Sequence, residues 1–244
     1  LTAEDKVLDV GANDGTLLSM YEEIPEDERP QRLAVEPALN LQHALARHCE
    51  VQVSEYFPTD ALDHLHGRIK ILTAIAMCYD LERPLDFFLK IRYLLHDEGV
   101  AVIQFQDLEQ MIEAAAFDNI CVEHLEYYTL GSLLSLVESA GLEVIQVATT
   151  PINGGSLRVI LQPCHRRSPW YPATVQAQLS KEQAQGLAPH TICGGDHTAL
   201  TRFRQRVETA KTQVTATLEA CRQQGAVVDL LGASTKGNIL LQVL

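Results

Sequence analysis

The segment Lys6–Gly15, KVLDVGANDG, constrains this chain more than any other. A short apolar run, Lys6–Val10, carries an acid near its end and is stopped at once by Gly11. Gly11 and Gly15 allow a tight turn and a close approach of the backbone to a ligand. Thr16–Tyr21 then reads as helical. The same grammar repeats. Arg32–Val35, Val51–Val53, Ile69–Met77 and Gly99–Phe105 read as strands, while Leu39–His48 and Pro84–Leu95 have helical spacing. Continuous apolar strands alternating with helices predict an α/β fold with a mostly parallel sheet covered on both faces.

After residue 129 the pattern changes. Leu130–Ala140 reads as a helix ended by Gly141. Leu142–Ala148 and Ser156–Gln162 follow as strands around a Pro/Asn/Gly turn, a hairpin that adds an antiparallel edge to the sheet. Residues 163–196 hold several prolines and glycines and little periodicity. Thr198–Gln224 reads as one long helix. Ala226–Leu231 is an expected strand running into a glycine loop, Gly232–Asn238, with a helix starting at 239. The expected organisation is a ligand-binding domain over 1–162, a linker over 163–196, and over 197–244 the start of a second, truncated α/β domain.

The 244 residues carry 19 Lys and Arg against 32 Asp and Glu, a net charge of −13. That balance argues against a general nucleic-acid partner and against docking on anionic lipid. It leaves room for an anionic small ligand held by a few placed groups. No apolar run reaches the roughly 18–20 residues of a membrane span, and Leu1–Lys6 has no signal-peptide character. The six cysteines form no C-x-x-C pair, so they read as reduced thiols of a cytoplasmic protein and no metal site is expected.

Five segments carry chemistry. Asp9-Val10-Gly11-Ala12-Asn13-Asp14-Gly15 has the form D-x-G-x-x-x-G, not G-x-G-x-x-G, so a dinucleotide pyrophosphate is not its natural ligand. It suits a nucleoside bearing an amino-acid group, with Asp9 accepting from an amino group or sugar hydroxyls. Glu36, at the end of the second strand, is placed to hold two ribose hydroxyls. Asp118–Tyr128 brings Glu123, His124, Glu126, Tyr127 and Tyr128 together, and a histidine near a carboxylate can act as a general base. Asn153-Gly154-Gly155 makes a hairpin turn without needing a function, yet Arg158 beyond it is a cation in an apolar strand and is a candidate buried anchor for an anion or an acid. The Gly232–Asn238 loop, with Ser234 and Lys236 before a helix, suits a phosphate or is a plain strand-to-helix turn.

Taken in order, V-L-D-V-G-A-N-D-G, T-A-I-A-M-C-Y-D-L-E-R-P, F-D-N-I-C-V-E-H-L-E-Y-Y, N-G-G-S-L-R-V and G-A-S-T-K-G-N-I-L-L-Q resemble the sugar C-methyltransferases, the nucleotide-deoxysugar C-3 methyltransferases of antibiotic pathways. The resemblance implies a class I, Rossmann-like methyltransferase domain using S-adenosyl-L-methionine. In that family a zinc module precedes this domain and a second Rossmann-like domain follows; this chain is expected to lack the first and to hold only the opening of the second. The implied cofactor residues are Asp9, Gly11, Asn13, Gly15, Glu36, Pro37, Tyr56 and Ala76. His124 is the implied base, helped by Glu123, with Tyr127, Tyr128 or Asn153 as donors to an enolate. Asn153, Arg158, Ser234, Lys236 and Asn238 are the implied residues for a small-molecule substrate, a nucleotide-linked keto-deoxysugar. Members that carry H-E-H preceded by tyrosine differ from this chain, which has Cys121 and Val122 there. The competing readings are an O- or N-methyltransferase on a small metabolite, and a cofactor-binding module without turnover.

Overall fold

The computed structural model describes residues 1–165, 171–229, 231–232 and 234–243. Seven strands form one sheet in the order β3-β2-β1-β4-β5-β7-β6. In chain order the first part runs β1 (Lys6–Val10), α1 (Thr16–Ser19), β2 (Gln31–Val35), α2 (Gln42–Leu45), β3 (Val51–Val53), β4 (Ile69–Ile75), α3 (Pro84–Leu94), β5 (Leu95–Gln106) and α4 (Leu108–Ala114). The second part runs α5 (Leu130–Ser139), β6 (Leu142–Thr150), β7 (Ser156–Pro163), α6 (Ala173–Ala184), α7 (Pro189–Cys193), α8 (Thr198–Gln223) and α9 (Thr235–Val243). β1 to β5 are parallel, and β7 pairs antiparallel with both β5 and β6. This is the class I methyltransferase topology, with an antiparallel edge hairpin. Strand order reverses between β1 and β4, and open α/β sheets bind ligands at that point, beyond the carboxyl ends of the strands.

Alternation along the strands sets the two layers. Ala101, Ile103 and Phe105 of β5 lie in register with Leu161, Val159 and Leu157 of β7. They bury against Phe87, Phe88 and Ile91 of α3 and Leu133 and Val137 of α5. On the other face a smaller core of Val7, Leu18, Ala34 and Leu45 seats α1 and α2 under β1 and β2. That register puts Arg158 on the face opposite Leu157 and Val159, where it is exposed and donates to Gln104 at 3.0 Å. Arg158 is therefore not the buried anchor expected from an apolar strand.

Several elements differ from the sequence reading. Leu39–His48 is helical for only one α-turn, because the Gln42 amide donates to the Glu36 and Ala38 carbonyls and holds the chain in a turn after Pro37. β4 stops at Ile75 because Ala76 adopts φ 58, outside strand geometry. The stretch 163–196 holds α6 and α7, helices whose weak amphipathic pattern hid them; residues 166–170 lie outside the described residues. Among the described residues of 226–231 there is no strand, since Val227, Val228 and Leu231 stay exposed with no ladder to join; residues 230, 233 and 244 are not described.

α6 is tied to the sheet domain by Glu182, which is 1% exposed. Its carboxylate accepts from the Leu130 and Gly131 N–H groups at 2.6 and 3.0 Å, donors at the start of α5 with no partner inside the helix. Thr129 and Ser132 complete the cap reciprocally. Glu182→Ala strands the buried Leu130 donor and the half-buried Gly131 donor and is expected to cost about 3 kcal/mol, read from the urea midpoint at constant m.

Candidate active site

The glycine turn is built by backbone geometry. Gly11, Asn13 and Gly15 have φ of 71°, 52° and 87°. The Gly11 and Ala12 N–H groups both donate to the Val35 carbonyl, at 2.9 and 3.2 Å, which fastens the turn to β2. A Cβ on Gly15 would meet His48 Cβ at 3.0 Å and Leu45 Cδ1 at 3.2 Å, so both φ and space demand glycine there.

Two buried carboxylates flank the turn. Glu36 is 8% exposed and accepts from the Asn13 N–H through Oε2 and the Ala38 N–H through Oε1, each at 2.9 Å. Asp9 is 4% exposed and accepts from the Thr73 hydroxyl at 2.5 Å. Burial pushes the Asp9 carboxyl up to about 6; the Thr73 bond works against this and the Glu36 charge adds to it. Carboxylate oxygens keep further lone pairs after one bond, so both acids still present acceptors. Pro37 is half-buried beside Glu36. Ala76 holds its left-handed turn by donating to the Gln104 carbonyl at 2.8 Å, and the next residue, Met77, packs against Gly11. Tyr56 does not join this group: it is 82% exposed, while Phe57 turns inward onto Phe87.

The segment 117–128 is folded over the ends of β4 and β5. Leu125 and Glu126 N–H groups both donate to the Tyr79 carbonyl at 2.9 Å, and the His124 ring lies 4.5 Å from the Tyr79 ring. His124 Nδ1 is 2.9 Å from the Asn119 carbonyl oxygen. A carbonyl only accepts, so Nδ1 carries a proton, and in the neutral ring the lone pair is then on Nε2. Glu123 is exposed and faces the Cys121 thiol, so it does not orient His124. The Tyr127 hydroxyl lies against the Cys121 backbone, and burial raises it above its ordinary value. Val122 is 87% exposed.

Three neighbours of His124 escaped the sequence reading. Tyr79 and Asp80 follow β4 directly, and Asp80 lies close enough for His124 to lower and Glu123 to raise its carboxyl, beneath a larger upward push from burial. Asn119 is 2% exposed and orients His124 through its main chain, a role with no residue signature.

The remaining predicted residues lie around this loop. Asn153, φ 56°, is exposed at the hairpin tip. Ser234 accepts from the Gly237 N–H at 3.3 Å at the start of α9, with Lys236 half-buried and Asn238 exposed on the first turns. Ile239 and Val243 of α9 close an apolar cavity of about 280 Å³ with Phe117, Ile120, Phe203 and Val207. The expected substrate loop thus sits at the base of the His124 segment. Among the described residues no helix is long and apolar enough to cross a membrane, and no group of three or more His, Cys, Asp or Glu could hold a metal.

Residues 1–147 match the family model of the methyltransferase domain, and residues 151–244 that of the C-methyltransferase C-terminal domain. The C-methyltransferase NovU of Streptomyces niveus is 27% identical over 247 residues, covering 99% of this chain and 55% of that protein. The chain thus spans about half the length of that relative. The methyltransferase solved with the Trm112 activator of Haloferax volcanii superposes with a TM-score of 0.57 at 11% identity, covering 69% of this chain and 86% of that one. A 16S rRNA adenine methyltransferase of Catenulisporales acidiphilia gives 0.52 at 17% identity, covering 68% and 89%. At these identities the likeness is one of fold. With the methyltransferase-domain model spanning more than half of its length, the chain belongs to the methyltransferase-domain family, and its residues 151–244 are similar to the C-terminal domain of C-methyltransferases.

Proposed function

We propose that the chain serves C-methylation of a carbon next to a ketone in a nucleotide-linked deoxysugar or a related natural-product intermediate. The observation that carries this is His124: its Nδ1 is committed to the Asn119 carbonyl, which leaves Nε2 as the nitrogen of the neutral ring that accepts a proton. A carbon acid holds its proton more firmly than a hydroxyl or an ammonium, so it needs such a base most.

The residues at the glycine turn fit S-adenosyl-L-methionine. Gly11, Asn13 and Gly15 open the backbone, Asp9 supplies an anion for the amino group, and Glu36 beside Pro37 supplies acceptors for the ribose. The Ala76 turn walls the far side. When bound, the cofactor supplies an electrophilic methyl group on sulfonium sulfur. His124 takes the proton from the substrate carbon, and Tyr127, Tyr128 or Asn153 donate to the oxygen that gains charge. Arg158, Ser234, Lys236 and Asn238 hold the nucleotide diphosphate, a local cationic patch in a chain of net charge −13. The test is incubation with methyl-labelled cofactor and a panel of nucleotide-linked keto-sugars. Label on a sugar carbon is the expected result. Label on oxygen or nitrogen, or on no sugar at all, would sink the proposal.

A further inference from the structure

Two arginines on one face of α8 line a single cavity. Arg202 and Arg206 are four residues apart, so their side chains leave the helix side by side. Their heads are pinned to two other elements. Arg202 Nη2 donates to the carbonyl of Gln185, the C-cap of α6, at 3.1 Å. Arg206 Nη1 donates to the Ile112 carbonyl of α4 at 3.2 Å. Gln185 and Ile112 line the same cavity as the two arginines, a hollow of about 310 Å³ where α4, α6 and α8 meet.

The hollow is apolar on one side and cationic on the other. Ile112 and Ala199, 8% and 3% exposed, belong to a small core with Leu187, and Phe203 packs against it. Ile112, Ala199 and Phe203 all line the hollow. A guanidinium has five N–H donors, and each of these two uses one on a main-chain carbonyl. The arginine ion pairs among the described residues are made by Arg32, Arg83, Arg92 and Arg222, not by this pair. Asp196, the exposed acid nearest Arg202 along the chain, accepts from the Thr198 N–H at 3.0 Å. Glu113 is the one acid in the lining, and Lys181 Nζ lies 4.0 Å from its carboxylate and offsets its charge. In a chain of net charge −13, two guanidinium groups fixed by backbone bonds beside an apolar wall are a preorganised anion site.

We propose that this hollow binds a small phosphate monoester with an apolar body, its phosphate on Arg202 and Arg206 and its body against Ile112, Ala199 and Phe203. A carboxylate has two oxygens and fills one guanidinium fork. A phosphate monoester brings three terminal oxygens and nearly two charges, enough for both arginines. The volume is at the small end for ligand pockets and suits a body of about one ring. The site uses neither the glycine turn nor His124, so it stands apart from the methyl-transfer reading.

Phenyl phosphate is the probe, with inorganic phosphate and benzoate beside it, each titrated calorimetrically into the full chain at constant ionic strength. Phenyl phosphate is expected to bind on the order of tenfold tighter than either, since each lacks one half of the recognised chemistry. Arg202→Met and Arg206→Met should each lower its affinity on the order of 10- to 100-fold. Arg206→Lys keeps the charge but loses the fork, so its affinity should fall between parent and Arg206→Met. Glu113→Gln leaves both arginine anchors in place and removes the one negative charge of the lining, so it should tighten binding. Lys211 lies further along α8 and outside the lining, and Lys211→Met should bind as the parent does. A parent that binds none of the three probes would overturn the site, as would arginine variants with parental affinity. Equal losses in Lys211→Met would reduce the effect to general charge attraction and overturn it too. Inorganic phosphate or benzoate binding as tightly as phenyl phosphate would overturn the assignment of the ligand. Methyl transfer plays no part in these readouts, so this site and the C-methylation reading can fail independently.

Discussion

His124→Ala is expected to lower methyl transfer to a keto-sugar by about 10²- to 10⁴-fold, the usual contribution of a positioned general base. Deuterium uptake without added cofactor should fall equally, because the variant fails at proton removal. The ring touches Tyr79 and its Nδ1 bonds the Asn119 carbonyl, so some local packing is lost as well. His124→Gln tests whether that packing matters: a side chain that can still donate to the carbonyl restores the contact without restoring the base. Activity that returns in His124→Gln would remove His124 from proton transfer. Glu123→Ala provides the contrast. Its carboxylate is exposed and faces Cys121, so its loss should change the rate by less than about tenfold, as expected for an exposed charge outside the reacting centre. Equal losses in the two alanine variants would mean that the Glu123 side chain turns onto His124 in the complex.

The sheet was legible from the sequence because its strands are strongly apolar and its turns carry glycine. Lys6–Val10 matched to the residue, and Thr198–Gln223 matched but for the last position, since long periodic segments average out local noise. What failed was set by contacts between distant segments. Leu39–His48 has helical spacing, but the Gln42 amide bonds the Glu36 carbonyl and holds the chain before it in a turn, so the helix starts only at Gln42. Ala226–Leu231 has strand composition, but a strand exists only where another supplies a ladder. α6 shows almost no amphipathic stripe, because it is held by Glu182 on the end of α5 as much as by apolar packing. The glycine turn and its two flanking acids were readable because acids and glycines at strand ends follow from one local pattern. His124 stood out in the sequence as a residue type, but the group that its ring bonds did not: that is a main-chain carbonyl, which any residue at 119 would supply. Arg158 shows the reverse failure. One cation among apolar neighbours suggested burial, and the two-residue period put it on the open face instead.

Fold stability and cofactor affinity are expected to move in opposite directions with pH, both through Asp9. Its carboxyl is 4% exposed and pushed up to about 6, mainly because burial disfavours the charge, with Glu36 adding repulsion and the Thr73 hydroxyl partly relieving it. A carboxyl raised on folding stabilises the fold while it is protonated, and that stabilisation disappears as pH rises through the folded value. The span between the ordinary and the folded values corresponds to about 3 kcal/mol, gained as pH falls from about 7 to about 4. Binding runs the other way. A cationic amino group pairs with ionised Asp9, so calorimetric affinity for S-adenosyl-L-methionine should fall about tenfold for each pH unit below about 6. Asp9→Asn separates the two effects, since the amide oxygen can still accept from Thr73 without a charge to desolvate. The variant should be more stable than the parent at about pH 7.5 and equal to it near pH 4, with weak, nearly pH-independent cofactor binding throughout. Two parallel stability profiles would show that Asp9 ionises in the folded protein as freely as in the unfolded chain. Binding in Asp9→Asn as tight as in the parent would show that this carboxylate does not meet the amino group.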